Sequence, residues 1–268
     1  MKRALALIYG VLAYLFFLGT FSYAVCFVGG IFVPKTIDRG FESVTSTAVV
    51  IDLALLAIFA IQHSVMARQG FKRRWTQVVS WYVERSTYVV FASAALALLL
   101  WQWRPLPLVI WDVRGTWSDT PLRVVSWVGW GILLLSTFLV NHFELFGLQQ
   151  VWSHFRGEEF HSPAFKTPGL YRIVRHPLYA GFIIAFWATP FMTAGHFLFS
   201  VACTSYILLG IFFEERDLIK AFGQEYLNYC RRVPMLIPFM KSGNALTDSS
   251  TRSQTTSHRS GRLDSSSN

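Results

Sequence analysis

A chain of 268 residues that is 53% hydrophobic and 16% aromatic, with a mean hydropathy of +0.40, is too apolar for a soluble domain and points to an integral membrane protein. Its net charge of +9 does not signal nucleic acid: the lysines and arginines gather in loops between apolar runs, and no basic face or base-reading module is visible. The three cysteines, Cys26, Cys203 and Cys230, form no CxxC pair and no metal-like spacing, which excludes a disulfide framework and leaves them as small apolar residues.

Met1-Lys2-Arg3 ahead of an apolar run from 4 to about 32 resembles a secretory signal, with Ser22-Tyr23-Ala24 as a cleavage-like site. The run is too long for such a signal and a second follows closely, so it reads as the first transmembrane helix. Further spans are expected near 47–66, 86–103 and 124–148, the fourth with Trp127 and Trp130 as interfacial anchors. Residues 176–194 and 197–213 give a fifth and a sixth, each near the minimum of about 17 residues that a crossing needs. Ala194-Gly195-His196 turns between them, making these two antiparallel neighbours. Inside a bilayer only helices satisfy the backbone without closing a barrel, so the expected fold is all-α with about six transmembrane helices.

Between the second and third spans lie Arg68, Lys72, Arg73, Arg74 and Arg85 against Glu84 alone, whereas loops 34–45 and 102–120 balance their charges. The basic loop is therefore expected in the cytoplasm. Six crossings then place the N-terminus, residues 149–175 and everything after Phe213 on that side too. The chain divides into a four-span region, 1–148; a linker, hairpin and C-terminal helix, 149–240; and a tail, 241–268, whose Ser, Thr and Arg content reads as disordered. No internal repeat is visible, and nothing in the sequence sets an oligomeric state.

Three groups of residues carry possible chemistry. His176-Pro177 opens the fifth span, and proline in a first turn leaves exposed N–H groups at the positive end of the helix dipole, suited to a carboxylate or phosphate. Arg172 and Arg175 add charge, and Gly181 lets another group approach the backbone; an interfacial helix start with basic anchors explains the same residues equally well. Glu214-Glu215 begins a helix after the sixth span, in which Glu215, Leu218, Phe222, Tyr226 and Tyr229 recur at helical spacing. Such a stripe suits a ribose and an amino group, although acids at a helix start also simply complement its dipole. Gly223 predicts a bend or close contact within it.

The third group is Asn141-His142-Phe143-Glu144 in the last turns of the fourth span, with Gln62-His63 in the second. Ionisable residues at membrane depth are candidates for function, although a lone histidine there is often an interhelical hydrogen-bond donor. Helical spacing puts Asn141 and Glu144 on one face and His142 with Gln149 on another. No compact metal cluster results, and the chain lacks the repeated histidine pairs of a membrane di-iron oxygenase, so no metal is expected.

The segments Y-R-I-V-R-H-P-L-Y-A-G at 171–181, E-E-R-D-L at 214–218 and F-G-Q-E-Y-L-N-Y-C-R-R-V-P-M-L-I-P at 222–238 together resemble the isoprenylcysteine carboxyl methyltransferase superfamily. Within it, Q-H-S-V-M-A-R at 62–68, N-H-F-E-L-F-G-L-Q-Q-V-W at 141–152 and R-H-P-L-Y-A-G-F-I-I-A-F-W-A-T-P at 175–190 resemble the thiol-methylating branch that makes dimethyl sulfide; NnrU-type membrane proteins share several of these elements. The resemblance implies an S-adenosylmethionine-dependent membrane enzyme with a C-terminal cytoplasmic cofactor pocket and a small thiol as substrate. It implies cofactor contacts from Tyr171, Arg175, His176, Tyr179, Gly181, Glu214, Glu215, Tyr226 and Tyr229. It does not identify a base; His142, Glu144 and His63 are the candidates because they are polar groups near helix ends. A carboxyl methyltransferase and an NADPH-dependent reductase are the alternatives.

Overall fold

The computed structural model describes residues 1–41, 43–160 and 166–239; the tail expected over 241–268 lies outside them. Among the described residues, five helices are long and apolar enough to cross a membrane: α1 (Lys2–Gly29), α2 (Thr45–Ala67), α4 (Trp81–Gln102), α5 (Asp119–Val140) and α9 (Ala194–Phe222). A short basic helix, α3 (Gln69–Trp75), follows α2. Leu, Val and Phe remain exposed along the outer faces of the long helices, as a lipid-facing bundle requires.

The stretch expected as the fifth crossing differs. It begins as an eleven-residue apolar helix, α8 (Pro177–Trp187), about 16 Å long and short of a hydrocarbon core of about 30 Å. The chain then runs extended into β2 (Phe191–Thr193), which pairs antiparallel with β1 (Val109–Asp112). Among the described residues this two-stranded sheet is the one sheet in an otherwise helical fold, and it closes the end of the bundle where α9 starts.

The expected fourth span to residue 148 is also interrupted. α5 stops at Val140, and Asn141, with φ of 150°, accepts the Glu144 backbone N–H on its own side chain. That cap starts a one-turn helix, α6 (His142–Leu145), followed by α7 (Leu148–Arg156). The segment after 148 turns back along the bundle, α7 packing on α1 with Val151 against Gly10.

α8 makes its most extensive contact with α5. In lipid, helices associate through close packing rather than water exclusion, and small residues permit it. A Cβ on Gly181 would lie 2.7 Å from the Gly129 carbonyl oxygen and 2.8 Å from the Leu133 nitrogen. The group that approaches the Gly181 backbone is therefore α5, and this close packing accounts for a glycine here. At the other end of the hairpin α9 runs unbroken past Phe213 and ends at Phe222. Gly223, at φ 55° and ψ −126°, makes a turn that a side chain would strain, and α10 (Gln224–Arg232) restarts beyond it. The expected stripe from Glu215 to Tyr229 is thus split between two helices.

Gly181→Val should destabilise the protein by about 1–3 kcal/mol through overpacking. Gly131→Ala, on the same α5 but with open space at its Cβ, should leave the melting temperature in detergent unchanged or higher.

Candidate active site

The antiparallel α8–α9 hairpin brings the start of α8 beside the late turns of α9. His176 is the residue before α8, with Pro177 in its first turn. Two turns before its end, α9 presents Glu214 and Glu215 to it. Glu215, 4% exposed, takes both neighbours on one oxygen: His176 Nε2–H donates to Oε1 at 3.0 Å and the Arg175 Nε lies 3.2 Å from it. Arg175 and His176 are themselves buried. A carboxylate in this position survives only because the guanidinium compensates it.

Glu214 has a different environment. Its side chain is 45% exposed, and the Tyr179 hydroxyl donates to its Oε2 at 3.0 Å. The two adjacent acids therefore divide: Glu215 is committed to the protein, and Glu214 is presented outward.

The chain beyond α10 completes the arrangement. Backbone N–H groups of Arg175 and His176 donate to the carbonyls of Pro234 and Met235 at 2.9 and 3.1 Å. α10 is thereby held against the start of α8, and the Tyr229 hydroxyl donates to the Tyr171 carbonyl at 2.5 Å. Burial pushes the Tyr229 phenol up to about 12, which keeps it a donor at neutral pH. Tyr226 is enclosed, its ring 5.8 Å from that of Tyr229.

A cavity of about 390 Å³ opens beside α10, within the range of small-molecule sites. Lys166, Arg172 and Arg232 line it with Glu225 and Tyr229. Three cations and one carboxylate around a tyrosine fit the α-carboxylate and α-ammonium of an amino acid, which is one end of S-adenosylmethionine. Of the expected cofactor residues, Tyr171, Arg175, His176, Tyr179, Glu214, Glu215, Tyr226 and Tyr229 all gather at this end. Lys166, Arg232, Pro234 and Met235 were not anticipated; the last two act through their carbonyls, which no side-chain pattern reveals.

The three candidate bases do not join this group by any hydrogen bond in the described residues. Thr137 Oγ1 donates to the Leu134 carbonyl and so accepts from His142 Nδ1–H at 2.9 Å, while His142 Nε2 accepts from the Tyr14 hydroxyl at 2.9 Å. Both ring nitrogens are used, Phe138 stacks on the ring at 4.3 Å, and burial lowers its basicity. His142 is thus engaged at both nitrogens by Thr137 and Tyr14.

Glu144 accepts from Asn141 Nδ2 at 3.0 Å, and the same amide group donates to Gln149 Oε1 at 2.6 Å. Gln149 thus sits with Asn141 and Glu144, not with His142 as helical spacing suggested, because the helix breaks between them. Burial raises the Glu144 carboxyl above the usual range. His63 is placed otherwise. Its Nδ1 meets the Tyr206 hydroxyl at 3.0 Å, as does Ser64 Oγ. Tyr206 lies on α9, eight residues or about 12 Å before Glu214. A hydroxyl in an apolar span was the signal that could have found it.

Residues 124–225 match the phospholipid methyltransferase family. The chain is 58% identical to methanethiol S-methyltransferase 1 of Bradyrhizobium diazoefficiens, over 90% of its own length and 84% of the relative's. It is 54% identical to the methanethiol S-methyltransferase of Mycobacterium tuberculosis, over 89% and 98%, and 48% identical to that of Crocosphaera subtropica, over 90% and 94%. No solved structure matches.

Removing the Glu215 carboxylate strands a buried guanidinium, so Glu215→Leu should cost about 3–5 kcal/mol in thermal unfolding. Arg175→Leu combined with Glu215→Leu should recover part of that loss; strictly additive losses would contradict the pairing. With this identity along most of both chains, and a matched segment that runs from α5 to the start of α10, the chain belongs to the methanethiol S-methyltransferase family.

Proposed function

We propose that this protein methylates methanethiol to dimethyl sulfide, with S-adenosylmethionine as donor. The observation that carries the reading is the similarity to methanethiol S-methyltransferases along nine-tenths of the chain. The α10 end supplies a chemically matching donor site.

When bound, S-adenosylmethionine offers a methyl group on a cationic sulfur; in-line transfer forms the new S–C bond as the thiol loses its proton and the sulfonium C–S bond breaks. Lys166, Arg172 and Arg232 would hold the donor's carboxylate and Glu225 its ammonium. Glu214, steadied by Tyr179, would take a ribose or amino donor. The Arg175–His176–Glu215 group fixes the relative position of α8 and α9 on which these contacts depend.

We assign the role of assisting the thiol to His63, which its contact with Tyr206 on α9 supports. With Nδ1–H donating to the Tyr206 hydroxyl oxygen, Nε2 would be the bare atom that receives the thiol proton. The apolar surroundings, with Phe59 stacked 5.5 Å from the ring, suit a small lipid-soluble thiol and exclude water. A cytoplasmic position for the donor site is consistent with the basic α2–α4 connection, since Arg68 there lies 3.7 Å from Asp217, one turn beyond Glu214.

Purified protein given S-adenosylmethionine and methanethiol should release dimethyl sulfide, measured by headspace gas chromatography, and a heat-killed control should not. His63→Phe should lower kcat by about 100-fold and leave S-adenosylhomocysteine affinity within about twofold. Donor binding without dimethyl sulfide formation would contradict the acceptor and redirect it to a prenylated cysteine carboxylate.

A further inference from the structure

At the opposite end of α9 the structure holds a second cavity, of about 360 Å³, between the end of α1, the start of α5 and the β1–β2 sheet. His196 and Asp38 lie in its wall, and Arg39, Arg114 and Arg123 line it with Trp127. His196 stands nineteen residues, about 28 Å of helix, from Glu215, so this cavity is separate from the α10 site.

Its polar groups are ordered. His196 is 1% exposed, and its Nε2–H donates to the Phe186 carbonyl at 3.0 Å. A carbonyl only accepts, so the proton of the neutral ring sits on Nε2 and Nδ1 is a bare acceptor. Among the described residues that buried Nδ1 has no hydrogen-bond partner. A buried acceptor left unsatisfied is unfavourable, so it marks a place for a donor.

Asp38 belongs to the same group: its Oδ1 accepts from Thr193 Oγ1 at 2.6 Å, and Thr193 in turn caps the His196 backbone N–H at 3.1 Å. The arginines present the opposite polarity. Arg114 and Arg123 are fixed by Asp112 and Asp119, contacts that engage only part of each guanidinium and leave other N–H donors. Acceptors in the buried wall and guanidinium groups around them are complementary to a molecule with an anion at one end and an N–H or O–H donor at the other.

The membrane supplies such molecules at this depth. Trp127 is half exposed at the start of α5, between exposed Val124 and Val128, which places the cavity where the lipid-facing surface meets the headgroup layer. We propose that this cavity binds a phospholipid headgroup, its phosphate on the arginines and its terminal ammonium or hydroxyl on His196 Nδ1 and Asp38. Phosphatidylethanolamine and phosphatidylglycerol carry that donor; phosphatidylcholine does not. The bound lipid would tie the 30–40 loop and the sheet to the bundle, independently of methyl transfer.

Native mass spectrometry of the detergent-solubilised full chain, offered each lipid in turn, tests this. The wild type should retain phosphatidylethanolamine or phosphatidylglycerol over phosphatidylcholine by about fivefold or more, the scale of one buried hydrogen bond. His196→Phe should remove the preference, and Arg123→Gln, a surface change that keeps the core intact, should weaken retention of all three lipids. S-adenosylhomocysteine binding should be unchanged in both variants. Equal retention of phosphatidylcholine by the wild type, or an undiminished preference in His196→Phe, would overturn the proposal. Binding of phosphoethanolamine or glycerol phosphate as tight as the lipids would assign the cavity to a soluble ligand and overturn it as well.

Discussion

A carboxylate buried between a guanidinium and an imidazole is the contact on which the α10 end depends. Glu215 brings a carboxylate from α9, and Arg175 and His176 bring a guanidinium and an imidazole N–H from the residues just before α8. Neither side is tolerable alone in an apolar setting, so the pair fixes the depth at which the two helices meet. The carbonyls of Pro234 and Met235 then bind the same two residues from the opposite direction, which draws α10 over the site. The cavity beside α10, the acidic pair and the tyrosines all inherit their positions from this junction.

The division of labour between the adjacent acids follows from helix geometry. Successive residues on α9 point about 100° apart, so when Glu215 faces the hairpin, Glu214 must face its edge. One position builds the site and the other is offered to a ligand. The same helix carries Tyr206 toward His63 and His196 toward the sheet end, which makes α9 the axis that relates the α10 cavity, the His63–Tyr206 pair and the second cavity.

Much of this was legible in the residues. Apolar runs located the first two long helices to within about three positions and the others more loosely, the R-H-P and E-E segments marked the junction, and Gly223 announced a bend between α9 and α10. The misread region is instructive. Apolar periodicity continues through residue 148, yet Asn141 followed three residues later by Glu144 is a capping pattern, and the helix restarts there. That restart removes His142 from the face assigned to it and hands both its nitrogens to Tyr14 and Thr137. The shortness of α8 and the β1–β2 pairing were hidden for another reason: a run of apolar residues has the same composition whether it crosses as helix or finishes as strand. Contacts made by backbone carbonyls leave no side-chain signature at all.

We place the methyl donor at the α10 end, held by groups organised around Arg175, His176 and Glu215. Amide hydrogen exchange with and without S-adenosylhomocysteine tests it most directly. Added ligand should slow exchange in residues 166–176, 212–218 and 224–235 and leave 28–39, 114–127 and 189–196 unchanged. Protection confined to the sheet end, with none around Arg175 and Glu215, would contradict the assignment.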